Sequence, residues 1–282
     1  MRPRDTGFPT ADAESDFLRA RRQQVLARLA HKLRREPDDV NLILPFQEVV
    51  HALGQMGERY IGLRTIPLDA IVGSVDRTRD FDRRFRPTST RMRQRWQRLA
   101  EAQRRGEAIP PIDVYKVGDM YFVKDGHHRV SVAHALDLRT IDAYVTEVIT
   151  RISPNGIRRR GDLIMKDYRR EFLDRVPLPM EARGRIAFTH PKRYGELSMY
   201  VEAWGFRLIQ QEDRLTHRDE VARRWYEEEY QPVVRMLRQA DLLDLGSTEA
   251  DAYLNVACMR WELIRSHDWN DQVFELIRAQ RT

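Results

Sequence analysis

The sequence predicts an α+β fold: a small mixed sheet with its own helices, preceded by N-terminal helices and followed by a mainly α-helical domain. Three observations carry this expectation. Apolar residues recur at helical spacing before residue 60, short β-rich runs punctuated by turn residues fill the stretch to about Val148, and helical periodicity returns after Ile152. The expected domains are a tail with basic amphipathic helices over 1–59, an α+β domain over 60–152 and a mainly helical domain over 153–282.

Taken in order, residues 1–12 carry Pro3, Gly7 and Pro9 and read as a loose tail. From about Ala13 to Arg35, Phe17, Leu18, Val25, Leu26, Leu29 and Leu33 recur at helical spacing, and Arg19, Arg21, Arg22, Arg28, Lys32, Arg34 and Arg35 fill most of the remainder. This predicts an amphipathic helix docked on the body with its cations in water, closed by Pro37. The competing reading is a basic arm laid along phosphates or an acidic partner. A second short helix spans about Phe46 to Gln55 and points Val49, Val50 and Leu53 at the core.

Residues 65–72 alternate like a strand, and Gly73-Ser74 ends it. Arg91 to Arg105 reads as a charged helix packed through Met92, Trp96 and Leu99 and stopped by Gly106. The prolines at 110 and 111 lead into a strand ending at Val117, Gly118-Asp119 makes a hairpin turn, and Met120 to Val123 returns. A short buried helix over 130–138 and a closing strand over 141–148 complete the domain. Beyond the basic loop around Arg158, Arg159 and Arg160, two helices open on Ser/Thr-x-x-acid patterns, Thr216 to Asp219 and Thr248 to Asp251. One apolar stripe runs through Val221, Trp225, Val233, Val234 and Leu237; a second runs through Tyr253, Val256, Ala257, Trp261 and Ile264; a last helix begins near Asp268.

Composition excludes several classes. At 282 residues, 41% hydrophobic and 33% charged, the chain is neither disordered nor too short for a substantial core. The net charge of +6 favours polyanionic partners, nucleotide or nucleic acid. A single cysteine, Cys258, excludes an internal disulfide and a Cys-rich zinc site, so a cytoplasmic location is expected. No apolar stretch approaches the ~20 residues of a membrane helix, and no secretory signal follows the first arginines, so no membrane partner is expected.

The stretch richest in chemistry is Asp125-Gly126-His127-His128-Arg129, where a strand opens straight onto a helix. A helix N-terminus offers unpaired N–H groups and a partial positive charge, which suits a phosphate. Gly126 lets backbone approach the ligand, Arg129 supplies a fork for phosphate oxygens, and His127 or His128 can move a proton near neutral pH. Asp125 can orient a histidine or hold magnesium, and no dedicated metal site is expected. The loop after the first strand, residues 73–82, reads by itself as an internally paired Asp/Arg run on the surface.

With those residues in place, roughly Ile66 to Val148 resembles the superfamily that unites the N-terminal domain of ParB partition proteins, sulfiredoxin and the free-serine kinases. Gly126-His127-His128-Arg129 matches the position of the Gly-Glu-Arg-Arg box of ParB, the Gly-Cys-His-Arg loop of sulfiredoxin and the Gly-His-Thr-Arg loop of the serine kinases, with Gly126 and Arg129 shared by all three. The resemblance implies a nucleotide, CTP or ATP, with magnesium as a possible companion, at that loop, and it brings the loop after the first strand near the nucleotide, with Ser74, Arg77 and Arg79 as phosphate contacts and Asp76 or Asp80 as candidate base or magnesium ligand. It does not extend to sulfinate reduction, because His127 stands where sulfiredoxin has its cysteine. The C-terminal half resembles a helical domain of unknown function. No helix-turn-helix is apparent, since residues 215–230 read as one continuous helix.

The function expected from the resemblance and the charge is a nucleotide-responsive switch or regulator that associates non-specifically with DNA, with Arg158, Arg159 and Arg160 as DNA contacts and homodimerisation as a further expectation. A phosphotransferase or nucleotide hydrolase using His127, His128 or Asp76 is the alternative. A protein-interaction module with a vestigial loop is the second alternative.

Overall fold

A computed structural model describes residues 5–37, 39–243, 248–264, 269 and 271–279, the last stretches in part as backbone only. The chain divides into two compact units, 1–166 and 167–282. The first contains α1 (Pro9–Leu33), β1 (Leu44–Pro45), α2 (Phe46–Leu53), β2 (Gln55–Pro67), β3 (Ile71–Ser74), α3 (Arg93–Arg104), β4 (Ile112–Val117), β5 (Met120–Asp125), α4 (His127–Ala135) and β6 (Thr140–Thr150). Its six strands lie in the order β1-β3-β5-β4-β6-β2. The hairpin β4–β5 and the pair β2–β6 are antiparallel; β1–β3, β3–β5 and β4–β6 are parallel, so the sheet is mixed.

The β4–β5 hairpin forms as the sequence predicts, because Gly118 adopts a positive φ of 58° in the turn. The expected strand over 65–72 is instead two strands separated by a 3-10 turn at Leu68–Ala70. Pro67 ends β2, and the Leu68 N–H turns away to donate to the Arg139 carbonyl at 3.0 Å. β2 also begins earlier than the pattern suggests, at Gln55, and two register shifts in its pairing with β6 interrupt the apolar alternation on which a strand reading depends. One face of the sheet buries Ile66, Ile71, Ile112, Val114, Val123, Ala143 and Val145 with Val130 and Ala133 of α4, and Phe81 and Phe85 close that core.

α1 departs from expectation twice. It starts at Pro9, a residue suited to a first helical turn, so the tail is shorter than the prolines imply. It also docks by the face opposite its leucines. Asp12, Ala13, Asp16, Phe17 and Ala20 are buried, while Leu18, Val25, Leu26, Leu29 and Leu33 are exposed. The small alanines allow close approach to α3, where Phe17 meets the Trp96 ring edge-on at 5.5 Å. Asp16 receives two hydrogen bonds from Arg104, at 2.9 and 2.6 Å.

The remaining helices are α5 (Asp162–Arg175), α6 (Met180–Arg183), α7 (Lys192–Glu212), α8 (Arg218–Arg224), α9 (Gln231–Gln239), α10 (Glu249–Ile264) and α11 (Asp271–Ala279). α8 and α9 are joined without a turn by a π-helical segment, Trp225–Tyr230. The wider winding lets Trp225, Tyr226, Glu229 and Tyr230 all face inward. There Glu229 accepts from the hydroxyls of Tyr200 at 3.0 Å and Tyr253 at 3.2 Å. Thr248 caps α10 as its pattern predicts, accepting the Asp251 N–H at 3.0 Å. Thr216 does not cap α8: its hydroxyl donates back to the Arg214 carbonyl, and the His217 ring takes the capping position. The side chains of Trp261 and Ile264 and the expected helix start at Asp268 lie outside the described residues.

Candidate functional site

The site grows from the junction of β5 and α4. Gly126 lies between them with φ +102°, a conformation that L side chains rarely adopt, and a Cβ there would meet Ile112 Cγ2 at 2.4 Å. The turn is therefore open to glycine alone. The Gly126 carbonyl accepts the first intrahelical bond from the Val130 N–H at 3.0 Å, which leaves the amides of residues 127–129 without intrahelical acceptors at the positive end of α4. In front of them is a cavity of about 400 Å³ lined by Arg77, Arg95, Arg98, Leu99, Asp125, Gly126, His127, His128 and Arg129.

Four of those nine residues are arginines and one is a carboxylate. Arg77 arrives from the loop after β3, Arg129 from α4, and Arg95 and Arg98 from the exposed side of α3. The two α3 arginines are functional candidates that sequence reasoning missed. Their i,i+3 spacing was a signal that they share a face, but the sequence does not show that this face looks onto the start of α4. α3 is held there by Trp96, whose Nε1–H donates to Ser131 Oγ on α4 at 2.8 Å.

Both histidines are buried in the wall. His127 lies parallel to Phe81 with ring centroids 6.3 Å apart, and His128 meets the same ring edge-on at 5.6 Å. Burial, then the Arg77 charge, pushes His127 down to about 4; burial, then Arg95 and Arg77, does the same to His128. Both are neutral at pH 7. His127 Nε2 lies 2.7 Å from Ser74 Oγ, which also accepts the Arg77 N–H at 3.0 Å. The Ser74 hydroxyl thus ties the His127 ring to the backbone of the Arg77 loop. His128 Nδ1 is buried without a hydrogen-bond partner.

The other residues singled out from sequence are distributed unevenly. Ser74 is fully buried, so it ties His127 to the Arg77 loop rather than lining the cavity. Asp76 and Arg79 are exposed and outside the lining. Arg77 makes only a long 3.5 Å contact with Asp80, both half-exposed. Arg129 differs most from expectation. Its Nη1 donates to the Pro110 carbonyl at 2.9 Å and to the Pro111 carbonyl, and its Nη2 donates to Asp125. The guanidinium braces the lead into β4 against the end of β5, so the unpaired positive charge comes chiefly from Arg77, Arg95 and Arg98. The basic triplet is also partly neutralised. Arg159 lies 3.5 Å from Asp39 and from Asp162, Arg160 grips Glu48 at 2.5 and 2.6 Å, and only Arg158 keeps an exposed side chain without a carboxylate.

A second cavity of about 250 Å³ shares Leu99 and Arg129 with the first and adds Ile109, Pro110, Val132, Ala133, Leu138 and Ile141. Arg129 thus divides a strongly cationic chamber from one whose walls also include Gln103, Thr140 and Asp142. Among the described residues, no group of three or more His, Cys, Asp or Glu side chains is placed to hold a metal ion. No helix among them is long and apolar enough to cross a membrane.

Residues 64–153 match the family model of the ParB N-terminal domain, so this part of the chain carries a ParB-like domain. Neither the curated proteins nor the solved structures yield a match.

Proposed function

We propose that the ParB-like domain binds a nucleotide, CTP or ATP, and that the protein acts as a cytoplasmic nucleotide-responsive regulator whose self-association or non-specific hold on DNA changes on binding. The observation that carries this reading is the cavity at the start of α4, where Arg77, Arg95, Arg98 and Arg129 face a single carboxylate, Asp125. Phosphate oxygens placed there would meet helix N-terminal amides and guanidinium groups together. The neighbouring cavity, where Leu99, Ile109, Pro110 and Leu138 stand beside Gln103, Thr140 and Asp142, suits a base or ribose. Magnesium would arrive with the phosphates, since Asp125 is the one lining carboxylate available to it.

Arg129 supplies a route from ligand to fold. A polyphosphate competes with Asp125 for its outer nitrogen, and the same guanidinium holds the backbone of Pro110 and Pro111. The enzymatic alternative has less support: histidines depressed to about 4 are weak bases at neutral pH, and Asp76 is not among the lining residues.

The test is a thermal-shift series of nucleotides with and without magnesium, followed by direct binding. A nucleotide at ~100 times its dissociation constant stabilises the fold by ~2.7 kcal/mol. CTP or ATP should raise the melting temperature, and the Arg95→Ala/Arg98→Ala variant should lose that rise while melting normally without ligand. No shift with any nucleotide, or an undiminished shift in the variant, would refute the reading.

A further inference from the structure

α1 buries Ala13 and Ala20 and exposes its leucines. Leu18, Val25, Leu26 and Leu29 are 45–58% exposed and Leu33 is 85% exposed. At 3.6 residues per turn these five fall in one stripe about 100° wide, roughly opposite the face that carries Ala13, Asp16, Phe17 and Ala20 onto the body. The stripe is therefore a second apolar face, distinct from the packing face and independent of the nucleotide reading.

Its flanks carry charge of one sign. No carboxylate occurs between Phe17 and Arg35, whereas Arg22, Arg28 and Lys32 are exposed on the stripe or beside it and take no carboxylate partner. This pattern selects among occupants. A second copy of α1 would bring like charges together. A partner helix packed knobs-into-holes would have to bury Arg22, which projects from the middle of the apolar stripe. At a bilayer surface the same residue extends its aliphatic stem along the acyl boundary and places its guanidinium among the phosphates, as do Arg28 and Lys32 at the edge.

We infer that α1 is an interfacial helix that lays Leu18, Val25, Leu26, Leu29 and Leu33 against an anionic lipid bilayer, with Arg22, Arg28 and Lys32 in its headgroup layer. The lack of a spanning helix bears on crossing a bilayer, not on lying against one.

The test is flotation of the full chain with vesicles of phosphatidylglycerol and phosphatidylcholine, compared with phosphatidylcholine alone. Binding is expected only with the anionic vesicles. Leu26→Glu/Leu29→Glu and, separately, Arg22→Gln/Arg28→Gln/Lys32→Gln should each weaken it by about tenfold or more. Because these side chains face solvent, melting temperatures should be unchanged. Leu33→Glu, at the most exposed position, serves as the apolar test if the double variant is unstable. Failure to float overturns the proposal, as does undiminished flotation of the leucine variants, which would mean attraction by charge alone. A lipid-free oligomer that dissociates on Leu26→Glu/Leu29→Glu would assign the stripe to a helical partner and overturn it as well.

Discussion

Ser74 Oγ lies 2.7 Å from His127 Nε2 and simultaneously accepts the Arg77 N–H at 3.0 Å. One hydroxyl thus joins the first turn of α4 to the loop that carries a cavity arginine. Burial keeps that imidazole neutral at pH 7, which sets how the domain responds to acid.

Stability should fall as pH falls from 6.5 towards 4. His127 and His128 are held down to about 4 by burial first and neighbouring arginines second, and burial lowers His134 as well. In that window the unfolded chain binds protons that the folded chain refuses, so the slope favours the folded state as pH rises, by at most about 1.4 kcal/mol per pH unit for each histidine. Below about 4 the folded histidines also protonate and their contribution levels off. Denaturant unfolding across this range should show a shallower slope for His128→Asn than for the parent chain. An identical slope would mean that His128 is not held neutral.

Gly126→Ala should destabilise the domain by at least about 2 kcal/mol, because it combines a left-handed backbone with a 2.4 Å approach to Ile112 Cγ2. Adding Ile112→Ala removes the 2.4 Å contact but leaves the Cβ of residue 112 at 2.9 Å and the backbone strain. The double variant should therefore suffer less from the glycine replacement than the parent does, measured as a coupling in a double-mutant cycle.

Arg129 and Arg95 should behave as opposites although both line the cavity. Arg129→Ala removes bonds to Pro110, Pro111 and Asp125 and should cost about 2 kcal/mol of stability. Arg95→Ala removes an exposed cation and should change stability by less than about 0.5 kcal/mol while weakening phosphate binding. Chemical denaturation and nucleotide titration of the two variants separate brace from binder.

The Asp16 contact with Arg104 should anchor α1. The Asp16 side chain is 1% exposed and that of Arg104 11%. Asp16→Ala leaves the guanidinium short of its main partner and should cost about 3 kcal/mol. Asp16→Leu combined with Arg104→Met should recover much of that loss, since two apolar groups replace two charges. Thermal unfolding of both variants decides the point.

Local chemistry accounts for what the sequence determined: the hairpin at Gly118-Asp119, the glycine turn that opens α4, and the apolar runs of β4 and β5 all rest on neighbouring residues whose backbone preferences or composition are legible in order. Long-range packing decided the rest. Whether Arg129 reaches a ligand or two proline carbonyls depends on where residues 110 and 111 lie, and Arg95 and Arg98 join the cavity only because Trp96 pins α3 to Ser131. The periodicity of α1 announced an apolar face but not its fate. Close approach to α3 favours alanines and a carboxylate for Arg104 over bulky leucines, and complementarity of that kind exists only between surfaces already brought together.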